Sequence, residues 1–431
     1  MHILVSGVRH RTAPIEVREK FALPEQSVQE ALRSLRSGLG IAECAILTTC
    51  NRTEIYAVVS DIEAGIQAIR QFYHQFKGLN ITDYRPYMFN LLHEDAVAHL
   101  FRVASGLDSL IIGEGQIMSQ VKDALSLAHE AESAGVLIDK LFKSALVVGK
   151  RVRTETGIAD KDVSVSLAAY HYVRQLDENL LNRRIALIGG GKMAEIMMSL
   201  FKQGMSREQQ QNITLVNRNH ARLSELSKRY GFRGCTWDAM GSVIAESDVI
   251  FVATGAPHVV LGRADFEGLG EKVVVDIAVP RNVDPRVSEL PEVQLFNTDD
   301  LAGTNGYTAE VREQIKQKAQ GILEEECLHF HRWRTSLAAV PTIVRLRQKV
   351  EKIRQGELAA SGALCNDDAA MEKFSRTLVH KILHEPTVRL KSADSSEEIN
   401  QQVSVLNRLF GIENDQQAHT VCPDVEYEAL A

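Results

Sequence analysis

The sequence predicts an α/β multidomain fold with an α+β first part, a doubly wound parallel sheet in the middle and an all-helical end. Two changes of pattern carry this. Up to about residue 155, short apolar strands mix with amphipathic helices. From Ile185 the rhythm becomes regular strand-helix alternation, and after about Asp299 strand patterns vanish. At 431 residues the chain is too long for one core. The boundaries read as residues 1–155, 156–299 and 300–431.

In order, Ile3–Val8 reads as a strand and Ser27–Ser37 as a helix. Ala45–Leu47 and Ile55–Val59 are β-type runs that flank the polar loop Thr48-Thr49-Cys50-Asn51-Arg52-Thr53. Asp95–Val103 reads as a helix with Val97, Leu100, Phe101 and Ala104 on one side. His99 lies about 160–200° from them at roughly 100° per residue, off that stripe, either at solvent or satisfied by a second core. Ile185–Ile188, Ile213–Val216, Val249–Ala253, Val273–Ile277 and Val293–Phe296 supply the parallel strands. In the last part, Val311, Ile315, Ala319, Ile322, Phe330 and Trp333 approximate a helical stripe. Ile343, Leu346, Val350 and Ile353 are spaced like a coiled-coil seam, which suits an intramolecular bundle or a dimer contact equally. Residues after about Asn414 are polar and expected to be loose.

Composition bounds the function. Hydrophobic residues at 45% and charged residues at 24% are ordinary globular values. No apolar run reaches the roughly 18 residues of a membrane span, and no secretion signal is read at the N-terminus, so the cytoplasm is the expected compartment. Cys44, Cys50, Cys235, Cys327, Cys365 and Cys422 are scattered without metal-site spacing, which argues against zinc and against a disulfide framework. A net charge of −7 is not that of a general nucleic-acid binder. Two local basic runs, Lys140, Lys143, Lys150, Arg151 and Arg153, then Arg332, Arg334, Arg345, Arg347, Lys349 and Lys352, are either solvated helix faces or RNA contacts.

A dinucleotide site is legible from context. The strand Ile185–Ile188 runs into Gly189-Gly190-Gly191-Lys192-Met193-Ala194 and then a helical Glu195–Phe201. Gly189 makes the turn, Gly191 lets the backbone approach a pyrophosphate, and the small Ala194 permits close helix-strand packing. After the next strand come Asn217-Arg218-Asn219, with no acidic residue for ribose hydroxyls. Arg218 suits a 2′-phosphate, which favours NADPH over NADH. The alternative is a tight glycine turn with no ligand.

Cys50 is the candidate nucleophile. Its loop places a thiol beside the Arg52 guanidinium, and a neighbouring positive charge favours the reactive thiolate. The plain alternative is one small buried cysteine.

Thr48-Thr49-Cys50-Asn51-Arg52-Thr53-Glu54-Ile55-Tyr56 closely resembles the active-site signature of glutamyl-tRNA reductases. So do, in order, Val8-Arg9-His10-Arg11-Thr12-Ala13-Pro14, the stretch from His99 through Ser109, and Gly113-Glu114-Gly115-Gln116-Ile117 with Gln120-Val121-Lys122. Lys150 to Thr156, Asp276 to Arg281 and Leu383-His384-Glu385-Pro386-Thr387 extend the resemblance over nearly the whole chain. Arg9, where many members carry Asn, and a dinucleotide turn ending in Ala194 are the visible departures.

The resemblance implies an N-terminal catalytic domain, a Rossmann-type NADP-binding domain and a long spine helix leading to a helical dimerisation domain. It implies reduction of glutamyl-tRNA(Glu) by NADPH to glutamate-1-semialdehyde, the first step towards 5-aminolevulinate and porphyrins, through a Cys50 thioester. It gives His99 a part in proton transfer or leaving-group departure. It also implies that Thr49, Asn51, Arg52, Ser109, Glu114, Gly115, Gln116 and Gln120 hold the glutamyl group. Glu114 chemically suits the α-ammonium and Arg52 the γ-carboxylate. Expected partners are tRNA(Glu), a second copy of the chain and, as an open possibility, the downstream aminomutase. The rival readings are a generic NADP-dependent acyl-thioester or aldehyde dehydrogenase that needs no tRNA, and a non-catalytic NADP-sensing scaffold.

Overall fold

The computed structural model describes all residues except 38–39, 159–163, 177–178, 180–181, 302–308, 362–367, 394 and 413–431. The polar tail after Asn414, and with it Cys422, lies outside the described residues, as does Cys365. Two compact bodies form, Met1–Cys327 and Leu328–Ala431.

The first body holds two sheets. β1 (His2–Arg9), β2 (Ile41–Thr48), β3 (Arg52–Val59) and β4 (Phe89–Leu92) make an antiparallel sheet in the order β2-β3-β1-β4. β3 is buried along its whole length although it starts Arg52-Thr53-Glu54, so two charged side chains enter the interior together. β4 went unread in the sequence because four half-exposed residues carry no periodic signal.

β5 (Ile185–Ile188), β6 (Ile213–Asn217), β7 (Arg233–Thr236), β8 (Val249–Val252), β9 (Lys272–Asp276) and β10 (Val293–Asn297) form a parallel sheet ordered β10-β9-β8-β5-β6-β7. This is the doubly wound dinucleotide-binding order, with the reversal beside β5. Its apolar strands are buried over a core that includes Ile188, Val252, Phe266 and Val274. β7, Arg-Gly-Cys-Thr at the sheet edge, has no apolar run and was not legible.

The helix Ala309–Ser336 spans 28 residues, about 42 Å at 1.5 Å per residue. In the second body, the helices Val340–Ser361, Asp368–Lys391 and Ser396–Phe410 enclose two small apolar clusters. Ile343 packs with Leu390, Ala393 and Ile399, and Leu346 with Leu383 and Ile412. The expected seam therefore divides: Ile343 and Leu346 belong to the intramolecular core, while Ile353 is 57% exposed. Among the described residues, no helix is long and apolar enough to cross a membrane.

Candidate active site

Cys50 occupies the tip of the β2–β3 hairpin. Thr49 N donates to the Arg52 carbonyl (2.8 Å), Asn51 N to Thr49 Oγ1 (3.1 Å), and His10 N to the Asn51 carbonyl (2.9 Å). The end of β1, where Arg9 pairs with Arg52, thus clamps the loop from the side.

The thiol is not a ready thiolate. Cys50 is half-buried, and that burial pushes the thiol up to about 12, with the Glu114 charge raising it further and Arg18 and Arg52 pulling against them. Arg52 acts in the expected direction but is outweighed.

Arg52 is 1% exposed, and its guanidinium donates to Glu54 Oε1 (2.8 Å), Asp108 Oδ2 (3.1 Å) and the Asp108 carbonyl. Around it, Tyr56 Oη donates to Glu54 Oε2 (2.7 Å), and Arg11 pairs with Asp108 at 3.1 Å. Arg9 Nη1 lies 3.2 Å from His99 Nδ1 and its guanidinium sits 4.6 Å from the Phe89 ring centre. Arg52, expected to meet the substrate γ-carboxylate, lies closed in under the hairpin on these partners. Arg11 and Arg9 are the more open guanidiniums, their side chains 57% and 20% exposed.

His99 is fully buried, with Nε2 at 2.9 Å from Glu54 Oε1 and Nδ1 on Arg9. Both nitrogens are engaged by side chains. Of the two alternatives left open by the helical pattern, it is the second core that satisfies this histidine.

Glu114 follows Gly113, whose φ of +90° and 2.6 Å approach of any Cβ to the Ile158 carbonyl require glycine. Glu114 is 7% exposed, and among the described residues its carboxyl has no hydrogen bond or ion pair; burial raises it to about 7 against the pull of Arg52 and Lys192. Ser109 is buried and Gly115 exposed, preceding the helix Gln116–Glu130 on which Gln116 and Gln120 lie one turn apart. Gln116 Nε2 donates to Met193 Sδ at 3.3 Å, joining this loop to the dinucleotide turn.

That turn has the form a pyrophosphate cradle needs. At Gly189, φ is +132° and a side chain would run into the Ala253 carbonyl; at Gly190 it would meet Asn217 Nδ2. A Cβ on Gly191, by contrast, would meet nothing within 4 Å, and Gly191 caps the helix Lys192–Gly204. Ala194 is buried, Lys192 exposed, and the Met193 carbonyl accepts from Ser166 Oγ at 2.9 Å. Asn217 Oδ1 accepts from Asn219 N (2.8 Å), leaving Arg218 exposed beside the turn. Arg222, absent from the sequence reading, donates to the Gly190 carbonyl at 3.2 Å.

Two ion-pair groups tie the dinucleotide fold to the hairpin side. Arg18, 2% exposed, binds Asp299 through both terminal nitrogens (2.7 and 3.1 Å), and Arg281 binds Glu19 and Glu16. Sequence reasoning missed Arg18, Glu54, Asp108 and His10, because their roles rest on contacts made between distant segments. Of the first basic run, Arg151 is spent on Glu155, Glu325 and Glu326, and Lys143 on Asp139.

Three family models match the chain: the glutamyl-tRNA(Glu) reductase N-terminal domain over residues 6–156, shikimate/quinate 5-dehydrogenase over 171–304, and the glutamyl-tRNA(Glu) reductase dimerisation domain over 318–412. A glutamyl-tRNA reductase from Trichodesmium erythraeum is 40% identical, with 96% of this chain and 98% of that protein covered. One from Thermosynechococcus vestitus is 41% identical, with 96% and 99% covered. Among solved structures, the glutamyl-tRNA reductase from Methanopyrus kandleri aligns over 96% of this chain and 99% of that one at 24% identity and a TM-score of 0.46.

Proposed function

The chain belongs to the glutamyl-tRNA reductase family, and on that premise we propose that it reduces glutamyl-tRNA(Glu) to glutamate-1-semialdehyde with NADPH, releasing tRNA(Glu). The observation that carries this reading is a cysteine at a hairpin tip whose environment, through Glu114 and Gln116, reaches the glycine turn of a dinucleotide fold.

Cys50 sulfur attacks the ester carbonyl of the charged tRNA. The S–C bond forms as the C–O bond to the ribose breaks, and the thiol proton leaves with the tRNA hydroxyl, so a glutamyl thioester remains on the enzyme. NADPH, when bound at Gly189–Ala194 with Arg218 facing its 2′-phosphate, supplies the hydride. The chain's residues position the acyl group for it. Glu114 receives the α-ammonium, and Arg9 and Arg11 face the γ-carboxylate. His99, acting through Glu54 and Arg9, is a positioning residue for the floor beneath the hairpin.

The chain works as a homodimer in the cytoplasm. Phe374, Leu378 and Ile382, 64%, 48% and 59% exposed at i, i+4 and i+8 on one helix, supply an apolar face that suits a second copy. The aldehyde product is reactive, which favours hand-over to the aminomutase that consumes it; co-elution with purified aminomutase tests that step.

NADPH oxidation with charged against uncharged tRNA(Glu), and with free glutamyl thioesters, tests the main reading. Turnover should require the charged tRNA. Equal turnover of free thioesters would make the chain a generic acyl-thioester dehydrogenase. Cys50→Ser should remove both turnover and the glutamyl adduct seen by intact mass without NADPH, since a serine hydroxyl without an adjacent base is a weak nucleophile.

A further inference from the structure

The strands of the second sheet are all parallel, so their carboxyl ends share one edge, and a dinucleotide lies along that edge with one nucleotide on each side of the reversal. With the pyrophosphate on the Gly189–Ala194 turn and the 2′-phosphate beside Arg218, the adenosine side lies over β5 and β6, which leaves the ends of β8, β9 and β10 for the nicotinamide. There the loops behave as one block. Asp276, 1% exposed, accepts from Ala278 N (3.0 Å), Asn282 N (2.7 Å) and Val283 N (2.8 Å). Asn282 Nδ2 in turn donates to the Ala256 and His258 carbonyls, joining the loop after β9 to the loop after β8.

This block is pinned to one short helix of the hairpin side, Ile15–Phe21. Arg281, on the loop after β9, donates from its guanidinium to Glu19 Oε1 (2.8 Å) and Oε2 (3.1 Å) and to Glu16 Oε1 (2.6 Å), and from its backbone N–H to Glu19 Oε2 (3.3 Å). Asp299, just past β10, takes Arg18 at 2.7 and 3.1 Å and accepts from Ile15 N at 3.2 Å. Arg18 is 2% exposed, so this two-pronged pair fixes geometry in a way that a solvated surface pair does not. From both ends of the helix the chain goes on to the Cys50 hairpin. Arg18 also donates to the Ala13 carbonyl (3.0 Å), and the turn that ends there places His10 N on the Asn51 carbonyl. Past the other end, Leu23 N donates to Thr48 Oγ1 at 3.4 Å.

We propose that Arg281 and Asp299 are positioning residues for hydride transfer: through the helix Ile15–Phe21 they hold the nicotinamide half of the crevice in register with the Cys50 hairpin. This rests on the reading of Cys50 as the acylated residue and of NADPH as the donor. Forming the thioester requires neither residue; its fate depends on both. Hydride adds to the thioester carbon and the S–C bond breaks as the sulfur takes a proton, giving the aldehyde. Water at the same carbon breaks the same bond, returning the thiol and releasing glutamate. A donor misplaced by about 1 Å can cost on the order of 100-fold in rate, whereas water needs no such register.

The test uses the full-length enzyme in two stages. Glutamyl-tRNA without NADPH loads Cys50, followed by intact mass; NADPH is then added, and semialdehyde and glutamate are measured. Arg281→Met should load Cys50 and bind NADPH within about twofold of wild type, yet reduce the loaded thioester roughly 10- to 100-fold more slowly, as misalignment does, and so release mostly glutamate. Arg281→Glu combined with Glu19→Arg, which restores a pair of opposite charges, should return part of the semialdehyde. In the protein without cofactor, hydrogen exchange at the Ile15 amide should quicken in Arg281→Met, reporting the loosened joint independently of turnover. The product ratio is read within each variant, so loss of folded protein does not imitate the result. Should Arg281→Met not fold, Asp299→Asn must shift the same ratio. A wild-type product ratio, wild-type exchange at Ile15, or equal losses of loading and reduction would each overturn the alignment alone. A wild type that forms no adduct at Cys50 would overturn the functional reading with it.

Discussion

His99 Nε2 and Glu54 Oε1 lie 2.9 Å apart with both side chains at 0% exposure, in the same interior that holds the Arg52 guanidinium. This joins a helix, His93–Ala104, to the strand that leads out of the Cys50 hairpin. Buried charges of this kind are costly to desolvate, and removing one member strands the others.

Glu54→Gln should therefore destabilise the first body by about 3 kcal/mol or more, the range for breaking a buried pair. The Glu54 carboxyl is held down to about 2 from an ordinary 4.5 by His99 and Arg52, although burial alone would raise it. A depressed carboxyl contributes stability above its unfolded value and loses it as pH falls, here between about 4.5 and 2. Urea titrations at pH 7 and pH 3 read both effects. A variant as stable as wild type at pH 7 would refute the network's role.

Glu114 has the opposite sign. Burial raises it to about 7, so its favourable contribution is complete below 4.5 and is lost as pH rises towards and through 7. At pH 8 the ionised, unpartnered carboxylate costs on the order of 3 kcal/mol. Glu114→Gln should accordingly raise the pH 8 melting temperature while lowering turnover. If the variant melts lower at pH 8 than wild type, Glu114 is not strained for function.

The doubly wound sheet was legible because β5, β6, β8 and β9 are largely buried apolar runs, β10 is a half-buried run at the sheet edge, and the glycine turn follows β5 directly. Cys50, too, was legible, as a thiol in a polar loop between strands. What the sequence hid was electrostatic: Arg52 beside Cys50 reads as an activating charge until Glu54 and Asp108, two and 56 residues away, are seen to enclose it. His99 was correctly placed off the apolar stripe, but its partners on β1 and β3 depend on strand order.

Cofactor choice turns on Arg218, exposed beside a turn that lacks an acidic residue. Arg218→Ala should weaken NADPH by roughly tenfold or more, as for a lost charge-assisted contact, and leave NADH nearly unchanged. Fluorescence titration with both nucleotides decides; equal losses would assign Arg218 to a general structural role.

The exposed stripe Phe374, Leu378 and Ile382 predicts the dimer contact more directly than the divided Ile343–Ile353 seam. Leu378→Glu with Ile382→Glu should give a monomer by light scattering with helix content retained. A persistent dimer would move the contact to another face.

The last prediction joins the thiol to its carboxylate neighbour. Among the charges that act on Cys50, Glu114 is the one that raises it, adding to burial in holding the thiol near 12, where little thiolate exists at neutral pH. An α-ammonium seated on Glu114 would cancel that charge, so the correct substrate would itself ease ionisation of the nucleophile, and a thiol left protonated between turnovers is protected from oxidation. Neutralising Glu114 by mutation should mimic this step. Glu114→Gln should react several-fold faster than wild type with iodoacetamide at pH 8, with the adduct mapped to Cys50 and absent in Cys50→Ser. It should do so while turning over glutamyl-tRNA more slowly, because the seat has lost its charge. Alkylation at the wild-type rate would separate Glu114 from the thiol and leave burial alone to set its acidity.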